Sequence, residues 1–226
     1  MPSNAMRFVY SSDRSLLLVF GDEVFGNEIP LDAHRDIVRL TPLLRGVRAV
    51  VNVHPAYASI LIDFNPFETG HRDLERAATE LYAQAAEAPL PAQRTVEIPV
   101  CYGGEYGPDL DDVAAIGGRS PAEVVAIHSG ADYLVCFLGF SPGFPYLSGM
   151  PESIAAPRLA TPRSRVPAGS VAIGGRQTGV YPVASPGGWR LIGRTPLRLF
   201  QPDAEPPVLL RMGDHVKFVP ISKGDF

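Results

Sequence analysis

Short apolar runs and longer stretches with helical spacing alternate along the first part of the chain. Runs rich in β-branched and aromatic residues predict four strands, at 7–10, 15–20, 47–53 and 59–64. Apolar residues at 37, 38, 40, 43 and 44 form the stripe of a helix over 31–45, which Gly46 would end. Residues 72–88 are rich in alanine, leucine and glutamate, which predicts a second helix. The order strand, strand, helix, strand, strand, helix predicts a small sheet with both helices on one face.

The pattern changes after the Pro-Leu-Pro-Ala run at 89–92, which is typical of a linker. A strand is predicted over 94–101 and a short helix over 109–116. The Ser-Pro-Ala-Glu run at 120–123 has the spacing of an N-cap, a first-turn proline and the glutamate of a capping box. It predicts a second helix in this part of the chain, which ends near residue 130.

Beyond residue 132 the apolar runs become short and alternate with glycine and proline. The last two runs predict strands over 208–211 and 215–220. Many short strands joined by tight turns are typical of a β-barrel or a sandwich. The sequence therefore predicts two domains, an N-terminal α+β domain over 6–90 and a β-rich domain over 91–226.

Composition and charge narrow the classes of function. The formal net charge is −4 and no basic stripe is evident, which argues against a nucleic-acid partner. No apolar run approaches the ~20 residues of a membrane-spanning helix, and no secretory signal is visible, so we expect a cytoplasmic protein without a membrane partner. Cys101 and Cys136 lack metal-like spacing. The Ser-Asn-Ala run at 3–5 resembles the remnant of a cleaved tag, which would make Met6 the natural start.

The segment 139–196 carries most of the candidate chemistry. It begins Gly-Phe-Ser-Pro-Gly-Phe-Pro-Tyr and is dense in glycine and proline, with aromatic residues and arginines between them. Glycine and proline set backbone conformations that other residues resist, whereas a flexible linker would lack the aromatic residues. The segment therefore predicts a shaped surface of turns.

Motifs for nucleotide binding and for a nucleophile are missing from the sequence. The glycine-rich run at 174–179 lacks the spacing of a P-loop, no lysine precedes Lys217, and a β-turn in a barrel is the expected structure there. Ser141 and Ser185 lie in turns, but no nucleophile elbow or obvious base accompanies either of them. The five histidines are scattered without metal-like pairs, and His128, at the end of a predicted helix, fits a cap or a site residue.

Arginines form the strongest charged set in the segment. Arg163 and Arg165 are two residues apart, so on a strand they would share one face. The planar guanidinium group suits a carboxylate or a phosphate, although scattered surface arginines are the simpler interpretation. The set comprises Arg163, Arg165, Arg176, Arg190 and Arg194.

Aromatic residues of the segment either belong to a core or line a partly exposed groove, and their turn-forming neighbours favour the groove. The set comprises Phe140, Phe144, Tyr146, Tyr181 and Trp189. We expect the turn at 139–150, the arginines at 163–165 and the segment 177–190 to converge on one groove. The candidate substrate-binding or groove residues are His128, Phe144, Tyr146, Arg163, Arg165, Gln177, Tyr181, Ser185 and Trp189. No residue is assigned a catalytic role, and no metal site is expected.

Three long blocks of the sequence resemble the signature blocks of the family of 5-oxoprolinase B subunits. They are FLGFSPGFPYLSGMP at 137–151, PRSRVPAGSVAIGGRQTGVYPVASPGGWRLIGRTP at 162–196 and GDHVKFVPI at 213–221. That family includes the kinase-inhibitor protein KipI and has often been labelled allophanate hydrolase subunit 1. The Gly-Pro-Asp-Leu run at 107–110 and the pair His128 and Tyr133 also fit its pattern.

The resemblance implies a small N-terminal α/β sandwich domain followed by a cyclophilin-like β-barrel. It implies a protein that is inactive alone and that works with the A and C subunits of 5-oxoprolinase to open 5-oxoproline to glutamate with ATP. The ATP would be used together with these partners, and no metal or organic cofactor is expected in this chain. The alternatives are a KipI-like inhibitor of a sensor histidine kinase and one component of an allophanate- or urea-related amide hydrolase. A prolyl isomerase is suggested only by the type of barrel.

Overall fold

The computed structural model of the chain describes residues 6–21, 31–90 and 92–226. The residues that bear on Met6 as the natural start, 1–5, lie outside this described part. The chain divides into two compact units, residues 1–92 and 93–226. Among the described residues, none of the helices has the length and apolar character needed to cross a bilayer.

The first unit has two layers, an antiparallel sheet and a pair of helices. The described strands are β1 (Met6–Ser12), β2 (Ser15–Phe20), β3 (Val50–Pro55) and β4 (Ser59–Phe64), in the spatial order β1-β2-β4-β3. The helices are α1 (Leu31–Arg45) and α2 (His71–Glu87). The pairing of β2 with β4 is unbroken, whereas both outer strands contain an irregularity, near Tyr10 in β1 and at Val51 in β3.

One face of this sheet is buried beneath the helices. Burial alternates along β2 and β4, since every second side chain of a strand points to the same face. The buried set is Leu16, Leu18, Phe20, Ile60, Ile62 and Phe64. Tyr82 of α2 meets Phe20 edge to face, and its hydroxyl donates a 2.7 Å hydrogen bond to Asp36 of α1. The predicted sheet with both helices on one face is confirmed.

The second unit is built on a closed β-barrel. Within the described residues seven strands form it, in the order β10-β7-β6-β13-β5-β12-β9. Their bounds are β5 (Thr95–Tyr102), β6 (Tyr133–Leu138), β7 (Pro145–Ser148), β9 (Ser170–Gly174), β10 (Gln177–Val180), β12 (Arg190–Arg194) and β13 (His215–Pro220). The pair β13 and β5 is parallel, and the other barrel pairs are antiparallel.

Two further strands and several short helices surround the barrel. Strands β8 (Arg163–Val166) and β11 (Ser185–Gly187) pair with each other in a separate two-stranded sheet. The helices are α3 (Leu110–Ile116) and α4 (Pro121–Gly130), with 3₁₀ turns at Glu152–Ile154 and Lys223–Asp225. The predicted fold class, an α+β domain followed by a β-barrel, is confirmed.

Local signals in the second unit have mixed outcomes. The capping box is confirmed, since the Ser120 hydroxyl accepts from the Glu123 backbone N–H while the Glu123 carboxylate accepts from the Ser120 N–H. The glycine-rich run is the turn of a hairpin, in which Gly174 pairs with Gln177. The strand predicted over 208–211 is wrong, because Val208 forms only an isolated bridge with Phe200.

His128 lies inside the barrel core, which corrects its assignment to the groove. The ring is fully buried, and its centroid lies 4.5 Å from that of Phe218. Thr178 donates its hydroxyl proton to the Ala172 carbonyl (3.0 Å), so its oxygen must accept from His128 Nε2 (2.9 Å). His128 Nδ1 is then the acceptor for the Tyr102 hydroxyl (2.8 Å). The neutral imidazole therefore satisfies one donor and one acceptor at once.

Burial lowers the pKa of His128 from 6.5 to about 3, because the charged ring would lose its hydration. Between these values the unfolded chain binds a proton that the folded chain does not, so acid favours unfolding. We expect the free energy of unfolding to fall by on the order of 1 kcal/mol per pH unit between about pH 6 and pH 4. Chemical denaturation at several pH values measures this slope. The His128→Gln variant should lose this dependence, and equal slopes for the two proteins would contradict the account.

Candidate functional site

A cavity of about 310 Å³ opens on the second unit, between the β6–β7 loop and the segments around β8 and β11. Its lining is mostly aromatic, with glycine and proline at the edges and one cation. The lining residues are Phe140, Phe144, Tyr146, Arg158, Leu159, Pro162, Tyr181, Pro186, Gly187, Gly188 and Trp189. A mostly apolar concave site with few polar groups is the usual form of a small-molecule site.

Phe144 is the centre of the aromatic floor. Its ring meets Tyr146, Tyr181 and Trp189 edge to face, at centroid distances of 5.2, 5.3 and 5.6 Å. This is the arrangement that aromatic quadrupoles favour. Phe144, Tyr181 and Trp189 are buried and share a small core cluster with aliphatic residues of the barrel wall. The floor is therefore a packed part of the unit and a cavity surface at the same time.

Trp189 occupies a space that a glycine leaves open. A Cβ atom at Gly174 would lie 2.5 Å from the indole ring, much closer than real Cβ contacts allow. The bare backbone of β9 therefore lets the indole lie against the strand. This close approach gives a structural reason for glycine at the last position of β9.

Arg158 is the cation at the cavity. Its guanidinium carbon lies 5.9 Å from the centroid of the Trp189 ring, within cation–π range. Burial raises the pKa of the Tyr146 hydroxyl, and the positive charge of Arg158 acts against that rise. Burial also raises the pKa of the Tyr181 hydroxyl, against a hydrogen bond with the Trp189 backbone and the charges of Arg158 and Arg163. Across 6–21, 31–90 and 92–226, the ion pairs do not include Arg158. Its fork of donors is available to a carboxylate.

The five arginines singled out in the sequence do not line the cavity, and four of them bind other groups of the unit. Three of them bind carboxylates: Arg163 binds Asp109 (2.7 Å), Arg176 binds Glu152 (2.9 Å) and Arg190 binds Asp112 (3.0 Å). Arg194 donates to the Ala168 carbonyl, and Arg165 is an exposed residue of β8. None of the five lines the cavity. The lining of the cavity gives no support to an anion site at Arg163 and Arg165. A place for Arg163 beside the groove stays a prediction, since its positive charge acts on the Tyr181 hydroxyl.

The cavity brings together four of the nine predicted groove residues: Phe144, Tyr146, Tyr181 and Trp189. Of the others, Gln177 begins β10, and Ser185 lies in β11, one residue before the lining residue Pro186. The turn at 139–150 and part of 177–190 do converge. The expected partial exposure of Tyr181 and Trp189 is corrected, since they are 3% and 7% exposed.

Sequence reasoning missed Arg158 as a site residue. Arg158 lies in the glycine- and proline-rich segment, next to Pro157. It has no second arginine at strand spacing, which was the pattern that singled out Arg163 and Arg165. Among the described residues Arg165 and Arg194 also lie outside the ion pairs, so what distinguishes Arg158 is its position against the Trp189 ring at the cavity, which depends on the fold. A one-dimensional pattern does not carry that information.

Comparison with protein families finds a match over most of the chain. The family model described as carboxyltransferase domain, subdomain C and D, matches residues 6–210. The chain is 57% identical to the 5-oxoprolinase B subunit of Bacillus subtilis (strain 168) over 162 residues, which are 72% of this chain and 66%, just under two thirds, of that protein. It is 48% identical to the 5-oxoprolinase B subunit of Escherichia coli O157:H7, over 87% of this chain and 89% of that protein.

Solved structures agree with the fold. TTHA0988 is 36% identical with a TM-score of 0.80 over 93% of this chain, and the match spans 40% of the TTHA0988 chain. The conserved uncharacterized protein PH0987 from Pyrococcus horikoshii is 42% identical with a TM-score of 0.57, over 97% of this chain and 99% of that one. The urea carboxylase of Kluyveromyces lactis, 19% identical with a TM-score of 0.73 over 100% of this chain and 22% of that one, shows the fold alone.

We expect Trp189→Ala to destabilise the chain substantially, since the indole is buried and shapes the cavity floor. Removal of a buried tryptophan side chain lowers the free energy of unfolding by roughly 3–5 kcal/mol, whereas a substitution at an exposed position changes it by less than about 0.5 kcal/mol. Urea unfolding followed by circular dichroism measures the difference. Trp189→Phe, which keeps an aromatic ring against Phe144, should lose distinctly less. A small loss in the alanine variant would show that the indole is not part of the core.

Proposed function

Because the chain belongs to the family of 5-oxoprolinase B subunits, we propose that it is one component of an ATP-dependent enzyme that opens 5-oxo-L-proline to L-glutamate. The other components are homologues of the A and C subunits of 5-oxoprolinase. The observation that carries the proposal is an aromatic cavity with Arg158 at its edge, outside the ion pairs of the described residues. A cytoplasmic location stays a prediction from the sequence.

The size of the cavity, its aromatic lining and its one cation support this choice of substrate. The substrate 5-oxo-L-proline is a five-membered lactam ring with one carboxylate. The ring packs on the aromatic floor of Phe144, Tyr181 and Trp189, and the carboxylate binds the guanidinium of Arg158. A cavity of about 310 Å³ is at the lower end of the range for small-molecule sites, which suits a compact ligand.

The chemistry requires activation of an unreactive amide. Transfer of the γ-phosphoryl group of ATP to the lactam oxygen makes the ring carbon electrophilic, and water then opens the C–N bond with release of phosphate and glutamate. Charge develops on phosphoryl oxygens in such a transfer, so positioning and positive charge are the main contributions of a protein. We assign substrate binding and orientation to this chain and the use of ATP to the assembly with its partners.

The other functions expected from the sequence have less support. The likeness to urea carboxylase is a likeness of fold at 19% identity, which does not favour a urea-derived substrate. Inhibition of a sensor histidine kinase stays a prediction, and the cavity is better suited to a small anion than to a protein surface. A prolyl isomerase rests on the type of barrel alone.

Reconstitution tests the proposed function. The chain is mixed with the A-type and C-type homologues encoded in its own genome, and release of glutamate and ADP from 5-oxo-L-proline is followed. We expect turnover only when the three proteins are present together, since the chain supplies a binding site without a nucleotide motif. If the chain alone released glutamate as fast as the mixture, the multi-component proposal would be wrong.

Arg158→Ala should raise KM for 5-oxo-L-proline in the reconstituted enzyme by roughly tenfold to hundredfold, the range of a charge-assisted hydrogen bond. Arg165→Ala is the matched control, because Arg165 is an exposed arginine of the same unit that does not line the cavity. Initial-rate kinetics of the three proteins measure the effect. Equal KM values for the two variants would remove Arg158 from the site.

A further inference from the structure

Phe140 has an unusual backbone for a bulky residue. Its φ is +63°, and it is the single non-glycine residue with positive φ in the described part of the chain. Such a conformation is an outlier for an aromatic side chain and strains the backbone. The residue is also 64% exposed, so burial of its side chain does not offset this strain.

Two consecutive turns hold Phe140 in this conformation. The Ser141 N–H donates to the Gly139 carbonyl at 2.7 Å, which together with the positive φ makes Phe140 the centre of a γ-turn of the strained kind. The next turn has Pro142 and Gly143 at its centre, closed by a 3.0 Å bond from the Phe144 N–H to the Ser141 carbonyl. The φ of +81° at Gly143 is that of a type II turn.

A third backbone bond closes the loop onto the barrel. The Gly139 N–H donates to the Phe144 carbonyl at 3.1 Å, where β6 and β7 leave and re-enter the barrel wall. The loop between them is therefore determined by its own backbone, and the position of Phe140 does not depend on contacts of its ring. A strained residue persists where the surrounding structure over-determines it, and such residues cluster at ligand sites.

The loop places the Phe140 ring at the rim of the cavity. The ring centroid is 5.5 Å from that of Phe144 and 6.3 Å from that of Tyr181, with both neighbours nearly perpendicular to it. Phe140 lines the same cavity as Arg158 and Trp189. The ring is thus part of the aromatic wall, although most of its surface is still in contact with water.

We propose that Phe140 is a specificity-determining residue, which covers the mouth of the cavity and packs on the ring of the bound substrate. The identity of that substrate, 5-oxo-L-proline, rests on the proposed function. A flat lactam ring between Phe140 and the floor buries the exposed part of the phenyl ring. The open-chain product glutamate has no such ring, so the contact favours the substrate over the product.

Trp189 provides a direct binding assay, because it is the one tryptophan of the sequence and lines the cavity. Its fluorescence is followed while 5-oxo-L-proline is added to the full chain. We expect Phe140→Ala to raise Kd about tenfold, since the apolar surface that the phenyl ring buries against the ligand is worth on the order of one decade in affinity. Phe140→Leu should recover part of the affinity. Phe67→Ala is the control, since Phe67 is 97% exposed and lies in the first unit.

Two small side chains separate the strain from the ring contact. Phe140→Gly and Phe140→Ala both remove the ring, but only glycine adopts positive φ without strain. We expect the glycine variant to melt a few degrees above the alanine variant while both bind weakly. Equal melting temperatures would overturn the account of the strained turn.

The assembled enzyme gives a second readout and identifies the competing role of Phe140. With the partner proteins present, we expect Phe140→Ala to raise KM for 5-oxo-L-proline with little change in kcat. If Phe140→Ala binds 5-oxo-L-proline as tightly as the wild type, or keeps the wild-type KM, the proposal is overturned. If this variant no longer co-elutes with the partner proteins, the ring belongs to a protein–protein interface instead. If the wild-type mixture is inactive, the proposed function fails, whereas the titration still decides the role of Phe140. One combination overturns this inference alone and leaves the proposed function standing. In it the mixture is active, the fluorescence of the chain does not respond to 5-oxo-L-proline, and Phe140→Ala leaves KM unchanged.

Discussion

The second unit depends on one pairing, in which its first and last strands lie side by side. Strand β13 runs parallel to residues 95–100 of β5, and this pair closes the barrel. Immediately before both strands, Arg94 binds the Asp214 carboxylate through two hydrogen bonds. The ion pair fixes the register where the strands begin. A one-residue slip of either strand would turn its own core residue, Ile98 in β5 or Phe218 in β13, out of the barrel core, since strand faces alternate.

The cavity follows from how the barrel holds the small two-stranded sheet beside it. The buried Asp109 carboxylate accepts from Arg163 on β8 and from the Leu191 backbone N–H on β12, both at 2.7 Å. This buried carboxylate holds β8 against β12, because loss of either donor would leave its charge incompletely satisfied. The two-stranded sheet supplies Gly187 to the rim, and the barrel supplies Tyr146. Arg163 and its carboxylate partner thus hold β8 beside the barrel, while Arg158, which lines the cavity, lies outside the ion pairs of the described residues.

The sequence predicts the fold well because the signals of the fold are local. Helix stripes and strand alternation located α1, α2, β2 and β4 within a residue or so, and the capping box located the start of α4. The candidate site was predicted less well, since burial and pairing depend on distant parts of the chain. His128 ends a helix in sequence but is enclosed by the barrel, and Arg158 differs from other arginines only by what lies near it. The family resemblance identified the sequence blocks that contain the site. It did not show which residues of those blocks support the cavity and which face a ligand.

The irregular outer strands of the first unit affect whether its sheet can pair edge to edge with the sheet of another molecule. A regular edge strand offers unpaired N–H and C=O groups to the edge of another molecule, which is a route to aggregation. Here the unbroken pairing is confined to the middle of the sheet, while β1 and β3 are both interrupted, near Tyr10 and at Val51. An interruption of this kind leaves a residue unpaired and increases the local twist, so a second sheet finds no straight edge to extend. In the described part of this unit, the shape of the two outer strands therefore limits further growth of the sheet.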